Sequence, residues 1–172
     1  MPGRSVSDAA ELAANLQRLI NDAIKPPSET AVSRDEPVIY MAMVRGTRGY
    51  IEKVAHQING SYANGWYDAC AVMLRRLLET LIIECYETHK IENRIKDASG
   101  NYLFLRDLVE KLIAENPWTL GRGVRAALPK LKDLGDKSAH NRRFNAHRED
   151  IDRVLKDLRD TVQELLVLAK LK

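Results

Sequence analysis

The chain has 172 residues, 45% of them apolar and 30% charged, the composition of an ordinary globular domain able to bury a core without disulfide or metal staples. No apolar run approaches the roughly eighteen residues of a transmembrane span, and Met1 to Asp8 lacks a signal-peptide core, so no membrane association and residence in the cytoplasm are expected. The net charge of +3 is modest but unevenly spread: Gly121 to Arg148 holds eight bases against two acids, Asp133 and Asp136, and the remainder is net acidic.

A first helix is predicted from Ser7, a plausible N-cap, to Ile24, with Ala9, Leu12, Ala13, Leu16, Leu19, Ile20 and Ala23 at helical spacing. Pro26 and Pro27 stop it, and residues 25–37, with three prolines, read as a linker. The division is therefore an N-terminal helix (1–24), a linker (25–37) and a helical-bundle domain (38–172). From Val38 the pattern predicts helix to Ile58, weakened at Gly46 and Gly49, then turns at Asn59-Gly60-Ser61 and Asn64-Gly65. Trp66 to His89 is the most apolar stretch and is expected to be the central helix. Cys70 and Cys85 both lie in it, about 22 Å apart along a helix, too far for a disulfide.

Asn93 to Asn101 reads as a polar loop and Tyr102 to Glu115 as a short helix ended by Asn116-Pro117. Thr119 to Leu134 is predicted to be helical but interrupted at Pro129, with Gly135 as its C-terminal cap. The last helix is expected from Asn145 to Leu171, with a seam of Ile151, Leu155, Leu158, Val162, Leu165 and Ala169 that suits bundle packing or pairing with a second copy. Alternating strand patterns are absent. The fold expected is all-α: a single bundle of about five to seven helices, with a semi-detached N-terminal helix.

Chemistry concentrates in Gly135-Asp136-Lys137-Ser138-Ala139-His140-Asn141-Arg142-Arg143, read as a polar, basic turn. His140 either moves a proton near a phosphate or fixes the turn through a hydrogen bond. Lys132, Lys137, Arg142 and Arg143 form a candidate surface for phosphate or an acidic protein, against the plainer reading of a solvated basic face. In the central helix, Arg75 and Glu79 share one face as a candidate structural ion pair, which either fixes helix packing or positions a residue of the histidine segment.

No metal and no cofactor is expected. Cys85 and His89 share a helical face but lack further ligands at zinc spacing, and Ser138 with His140 has no assignable orienting acid. The glycine segments Arg45–Gly49 and Gly121–Gly123 match neither a P-loop nor a dinucleotide fingerprint.

Two segments together resemble the signatures of the bacterial family called domain of unknown function 4145. Ala71-Val72-Met73-Leu74-Arg75-Arg76-Leu77-Leu78-Glu79, preceded by Gly65-Trp66-Tyr67, is similar to its Arg-x-x-Leu-Glu helix. Leu131-Lys132-Asp133-Leu134-Gly135-Asp136-Lys137-Ser138-Ala139-His140 is similar to its second signature, a glycine, then Asn or Asp, then a small-small-His ending. The likeness covers about residues 45 to 168, leaving the first helix and linker outside.

That family is similar to the wider HEPN superfamily, which implies a helical bundle, a homodimer, and a setting in prokaryotic defence or nucleic-acid-linked systems. Several of its members are metal-independent ribonucleases that use an Arg and a His with four to six residues between them. Here the positions that would supply the Arg to His140 are Asp133, Leu134 and Gly135. Arg142 and His147 meet the spacing, but the abundance of arginine makes about one such match expected by chance. The resemblance therefore favours a non-catalytic binding or regulatory module with RNA or an acidic protein as partner. The alternatives are an endoribonuclease using His140, with Arg142 as its cation, and a structural dimerisation domain.

Overall fold

The computed structural model of the protein describes residues 13–16 and 36–172. The chain divides into two units, Met1–Val32 and Ser33–Lys172. In the first, residues 13–16 are helical with exposed side chains, and the rest of the expected Ser7–Ile24 helix lies outside the described residues, as does the 25–37 linker up to Glu36.

The second unit is built from seven α-helices: α1 (Met41–Val44), α2 (Gly49–Ala63), α3 (Tyr67–Thr88), α4 (Leu105–Ala114), α5 (Arg122–His140), α6 (Arg148–Asp152) and α7 (Leu155–Leu168). A single 3-10 turn, Glu92–Ile95, follows α3, and no strand occurs among the described residues. The fold is an all-α bundle. As its composition demands, α3 is central: Leu74, Leu77, Leu78, Leu81, Ile82 and Cys85 are buried, and the helix packs against α2, α4, α5 and α7. Burial pushes the Cys70 and Cys85 thiols up to about 12, so both stay protonated and act as core side chains.

Three elements depart from the sequence expectation. The stretch from Val38 to Ile58 is not one helix: it breaks between α1 and α2, where Gly46 has φ +79° and Thr47 Oγ1 donates to Val44 O at 2.6 Å. Nor does α2 stop at Asn59. Its buried stripe of Ile51, Val54, Ala55, Ile58 and Tyr62 carries the helix through Asn59 and Gly60. The Asn59 amide is instead used at long range, accepting from the Ile39 N–H at 2.9 Å and donating to Ile39 O at 2.8 Å. The turn comes only at Gly65, where φ is +74°.

Pro129 does not interrupt α5, which runs unbroken from Arg122 to His140. Proline removes one N–H from the ladder, but Arg125, whose carbonyl loses that partner, is exposed and accessible to water. The last helix is split into α6 and α7 at Arg153–Val154, with Val154 N–H bonding Ile151 O at 3.1 Å. Its seam of Ile151, Leu155, Leu158, Val162, Leu165 and Ala169 is wholly buried inside the bundle, so it is consumed by folding and offers no surface to a second copy.

One clamp has no counterpart in the sequence reading. Arg159 of α7 donates from Nε to Val38 O at 3.1 Å and from Nη2 to Pro37 O at 2.6 Å. Its Nη1 pairs with Glu36 at 2.8 Å, and its guanidinium lies 4.2 Å from the Tyr40 ring centroid. It closes the start of the bundle by satisfying carbonyls that precede α1. Arg159→Ala is expected to lower stability by about 1–3 kcal/mol, read as a loss of melting temperature. Unchanged melting would show that water replaces the clamp without cost.

Candidate functional site

The site is set by the crossing of α3 and α5. On α5 the buried positions Val124, Ala127, Leu128, Leu131 and Gly135 form one continuous stripe at helical spacing, and the helix packs against α3, α7 and α4. Gly135 lies at a point of close approach. A Cβ placed there would stand 2.5 Å from Arg75 Cβ and 3.1 Å from Ala71 O, so only glycine lets the helices meet at this distance. Gly135 is thus a packing residue in mid-helix and not the cap that the sequence suggested.

That approach brings the two signature segments together through charge. Arg75 Nε donates to Asp136 Oδ1 at 2.8 Å, and its Nη1 to Glu79 Oε2 at 3.3 Å, so one guanidinium bridges α3 and α5. Lys132 Nζ contacts Asp136 Oδ2 at 2.9 Å and Asp133 Oδ1 at 2.8 Å. Burial pushes the Asp136 carboxyl up, but the hydrogen bonds from Lys132 and Arg75 outweigh it and hold the acid below its ordinary value.

A native value below the unfolded one stabilises the fold above about pH 4, and that contribution drains away as pH falls through the native value. Asp136→Asn is expected to cost about 1 kcal/mol at neutral pH, a figure reduced by the partial exposure of the pair. Its melting temperature should then fall less steeply than that of the native protein below pH 4. Parallel acid profiles would contradict this assignment.

Beyond the crossing, α5 extends to His140, which is exposed at its last position, so the predicted turn begins at Asn141 and not at Gly135. Asn141 organises that turn: its N–H bonds Lys137 O at 3.0 Å, and its Oδ1 accepts from Arg143 N–H at 3.0 Å. The far end is anchored to α3 and α2. Asp68 Oδ1 accepts from the N–H of buried Ala146 at 2.9 Å, Arg148 Nε donates to Tyr62 Oη at 3.2 Å, and Tyr62 donates to Asp152. The basic segment is therefore a short bridge held at both ends.

Asp136, Lys137, His140, Asn141, Arg142 and Arg143 line one open depression. From Lys137 to Arg148 the sequence contains no carboxylate, and Lys137, Arg142 and Arg143 form no ion pair among the described residues. Lys132, the fourth candidate cation, is spent on Asp133 and Asp136. Lys137 and His140 occupy the last turn of α5, where positive charge complements the carbonyl end of the helix. Because those carbonyls repel anions, an anionic ligand must be held by side chains, chiefly Arg142 and Arg143, which lie beyond the helix end.

Other candidate groups are placed elsewhere. Ser138 Oγ is shielded and makes no hydrogen bond among the described residues, so it does not pair with His140. His147 precedes α6 as its N-cap, its N–H bonded to Asp150 Oδ2 at 3.0 Å. Cys85 Sγ donates to Leu165 O at 3.4 Å, and His89 Nε2 lies 3.1 Å from Leu168 O; both tie α3 to α7. What sequence reasoning missed is the anchoring set of Asp68, Asp136, Tyr62 and Arg148. Only the offset of Asp136 by one residue from the buried stripe hinted at it.

No curated protein and no solved structure matches the chain. The family model for a domain of unknown function (DUF4145) matches residues 56–172. The match begins inside α2 and includes the α3–α5 crossing, the Arg75–Asp136 bridge and the basic segment with its anchors. By this match over most of its length, the chain belongs to the DUF4145 family.

Proposed function

We propose that the protein is a non-catalytic binding module whose segment from Lys137 to Arg143 holds the phosphate backbone of a nucleic acid. The observation that carries this reading is the group of three cations, Lys137 in the last turn of α5 and Arg142 and Arg143 on the anchored bridge that follows it, unpaired among the described residues. With the backbone already fixed, meeting an anion costs only the ordering of the side chains, and no internal ion pair has to be broken first. The setting, a HEPN-like module of a prokaryotic defence or nucleic-acid-linked system, is part of the proposal and rests on the resemblance of the two signature segments.

The test is retention of labelled RNA and DNA by the purified protein over a series of salt concentrations. Affinity that falls steeply with salt supports phosphate binding. Affinity for an acidic protein with none for nucleic acid would overturn it.

A second reading is favoured by one observation: His140 and Arg142 border the same depression. In it, His140 transfers a proton at the 2′-hydroxyl or leaving oxygen of RNA, and Arg142 stabilises the charged phosphorane. It requires RNA cleavage in EDTA that disappears in His140→Ala. Cleavage that persists in that folded variant excludes it.

A further inference from the structure

The chain has two tryptophans with contrasting environments. Trp118 is buried, packs edge-on against Tyr86 with ring centroids 5.1 Å apart, and donates from Nε1 to Leu112 O at 3.3 Å. Trp66 is 51% exposed and its indole N–H makes no hydrogen bond among the described residues. Leaving so large an apolar surface in water contributes nothing to folding.

The other exposed aromatics have partners or a different setting. Tyr40, Tyr50 and Tyr102 donate to Glu36, Glu84 and Glu87, so their outer edges face carboxylates. Phe104, 80% exposed, precedes α4 as its N-cap and lies outside the segments that are hydrogen-bonded to the basic bridge. Trp66 stands in the part of the chain that is tied to the basic bridge. Two residues after it, Asp68 takes the Ala146 N–H; four residues before it, Tyr62 takes the Arg148 side chain. Tyr67, its neighbour, packs edge-on against Tyr62 with centroids 5.7 Å apart. These interactions hold the segment that contains Trp66 against the chain just after the basic bridge. Arg143 and Arg142 precede Ala146 by three and four residues, a chain length of roughly 14 Å at most.

From this juxtaposition we infer that Trp66 is a base-stacking platform, and that the ligand of the basic bridge is a single-stranded nucleic acid. The inference rests on the phosphate-binding reading above. Cations that track phosphates beside an aromatic face that takes a base are the two parts of a single-strand site. A duplex keeps its bases stacked inward and would leave the indole unused, so the combination selects an unpaired strand. Stacking reads the base face, common to RNA and DNA; the sugar is for the experiment to assign.

The experiment titrates the full chain with short adenine-rich RNA and DNA strands, with a strand of equal length lacking bases, and with a duplex. Trp66→Ala is expected to weaken binding of the base-bearing strand by about 10-fold, with the abasic strand and the salt dependence unchanged, while Trp66→Phe retains most of the affinity. In the native protein, base-bearing strands should quench tryptophan emission and abasic strands should not, a readout that does not depend on the variant folding. Equal affinity of Trp66→Ala and native protein for the base-bearing strand, or absence of quenching, overturns the stacking role while leaving phosphate binding intact. Failure of the native protein to bind any strand overturns the phosphate reading itself.

Discussion

Gly135→Ala is expected to destabilise the protein by about 1–3 kcal/mol, although alanine is intrinsically favoured over glycine in a helix by nearly 1 kcal/mol. The added Cβ would meet Arg75 Cβ at 2.5 Å and Ala71 O at 3.1 Å. Neither is the far end of a flexible side chain, so α3 and α5 must separate, and with them the Arg75–Asp136 bridge. Gly123, in the first turn of the same helix, provides the contrast: a Cβ there meets nothing within 4 Å. Gly123→Ala should therefore be neutral or stabilise by up to about 1 kcal/mol. Opposite signs in thermal or urea unfolding would establish that Gly135 serves close approach; two stabilising substitutions would contradict it.

The second large effect concerns binding. Replacing both Arg142 and Arg143 by alanine is expected to weaken nucleic-acid affinity by about 10- to 100-fold at moderate salt and to reduce the salt slope by about two, one for each phosphate that is no longer neutralised. Stability should change little, since both side chains are exposed and pair with no acid among the described residues. Lys132→Ala provides the complementary case. Its ammonium already serves Asp133 and Asp136, and its removal should be felt in stability more than in binding.

Periodicity carried much of the fold. The central position of Tyr67–Thr88 follows from its composition, and the ends of that helix lie within one residue of expectation. Local glycine and asparagine signals misled where tertiary packing prevailed. Gly135 looks like a helix cap by residue type, yet it continues the buried stripe of Val124, Ala127, Leu128 and Leu131, which is the stronger signal. Asn59 looks like a turn former, but its amide is needed by Ile39, twenty residues earlier, and such a partner has no local signature.

The same distinction governs the site. The basic segment and the sharing of a helix face by Arg75 and Glu79 were legible as charge at a spacing. The partner that joins Arg75 to the histidine-bearing helix, Asp136, and the Asp68–Ala146 anchor arise from packing between segments sixty to eighty residues apart. Trp66 was visible only as the first residue of the expected central helix and as part of the Gly65-Trp66-Tyr67 segment; its meaning comes from what its neighbours hold.

Binding of the native protein to a single-stranded oligonucleotide between about 50 and 200 mM salt is the measurement that bears most directly on the proposed role. A linear fall of log affinity with log salt, shallower by about two in the Arg142/Arg143 double variant, is the predicted result. Affinity that ignores salt, or a slope unaltered by removing both arginines, would contradict it.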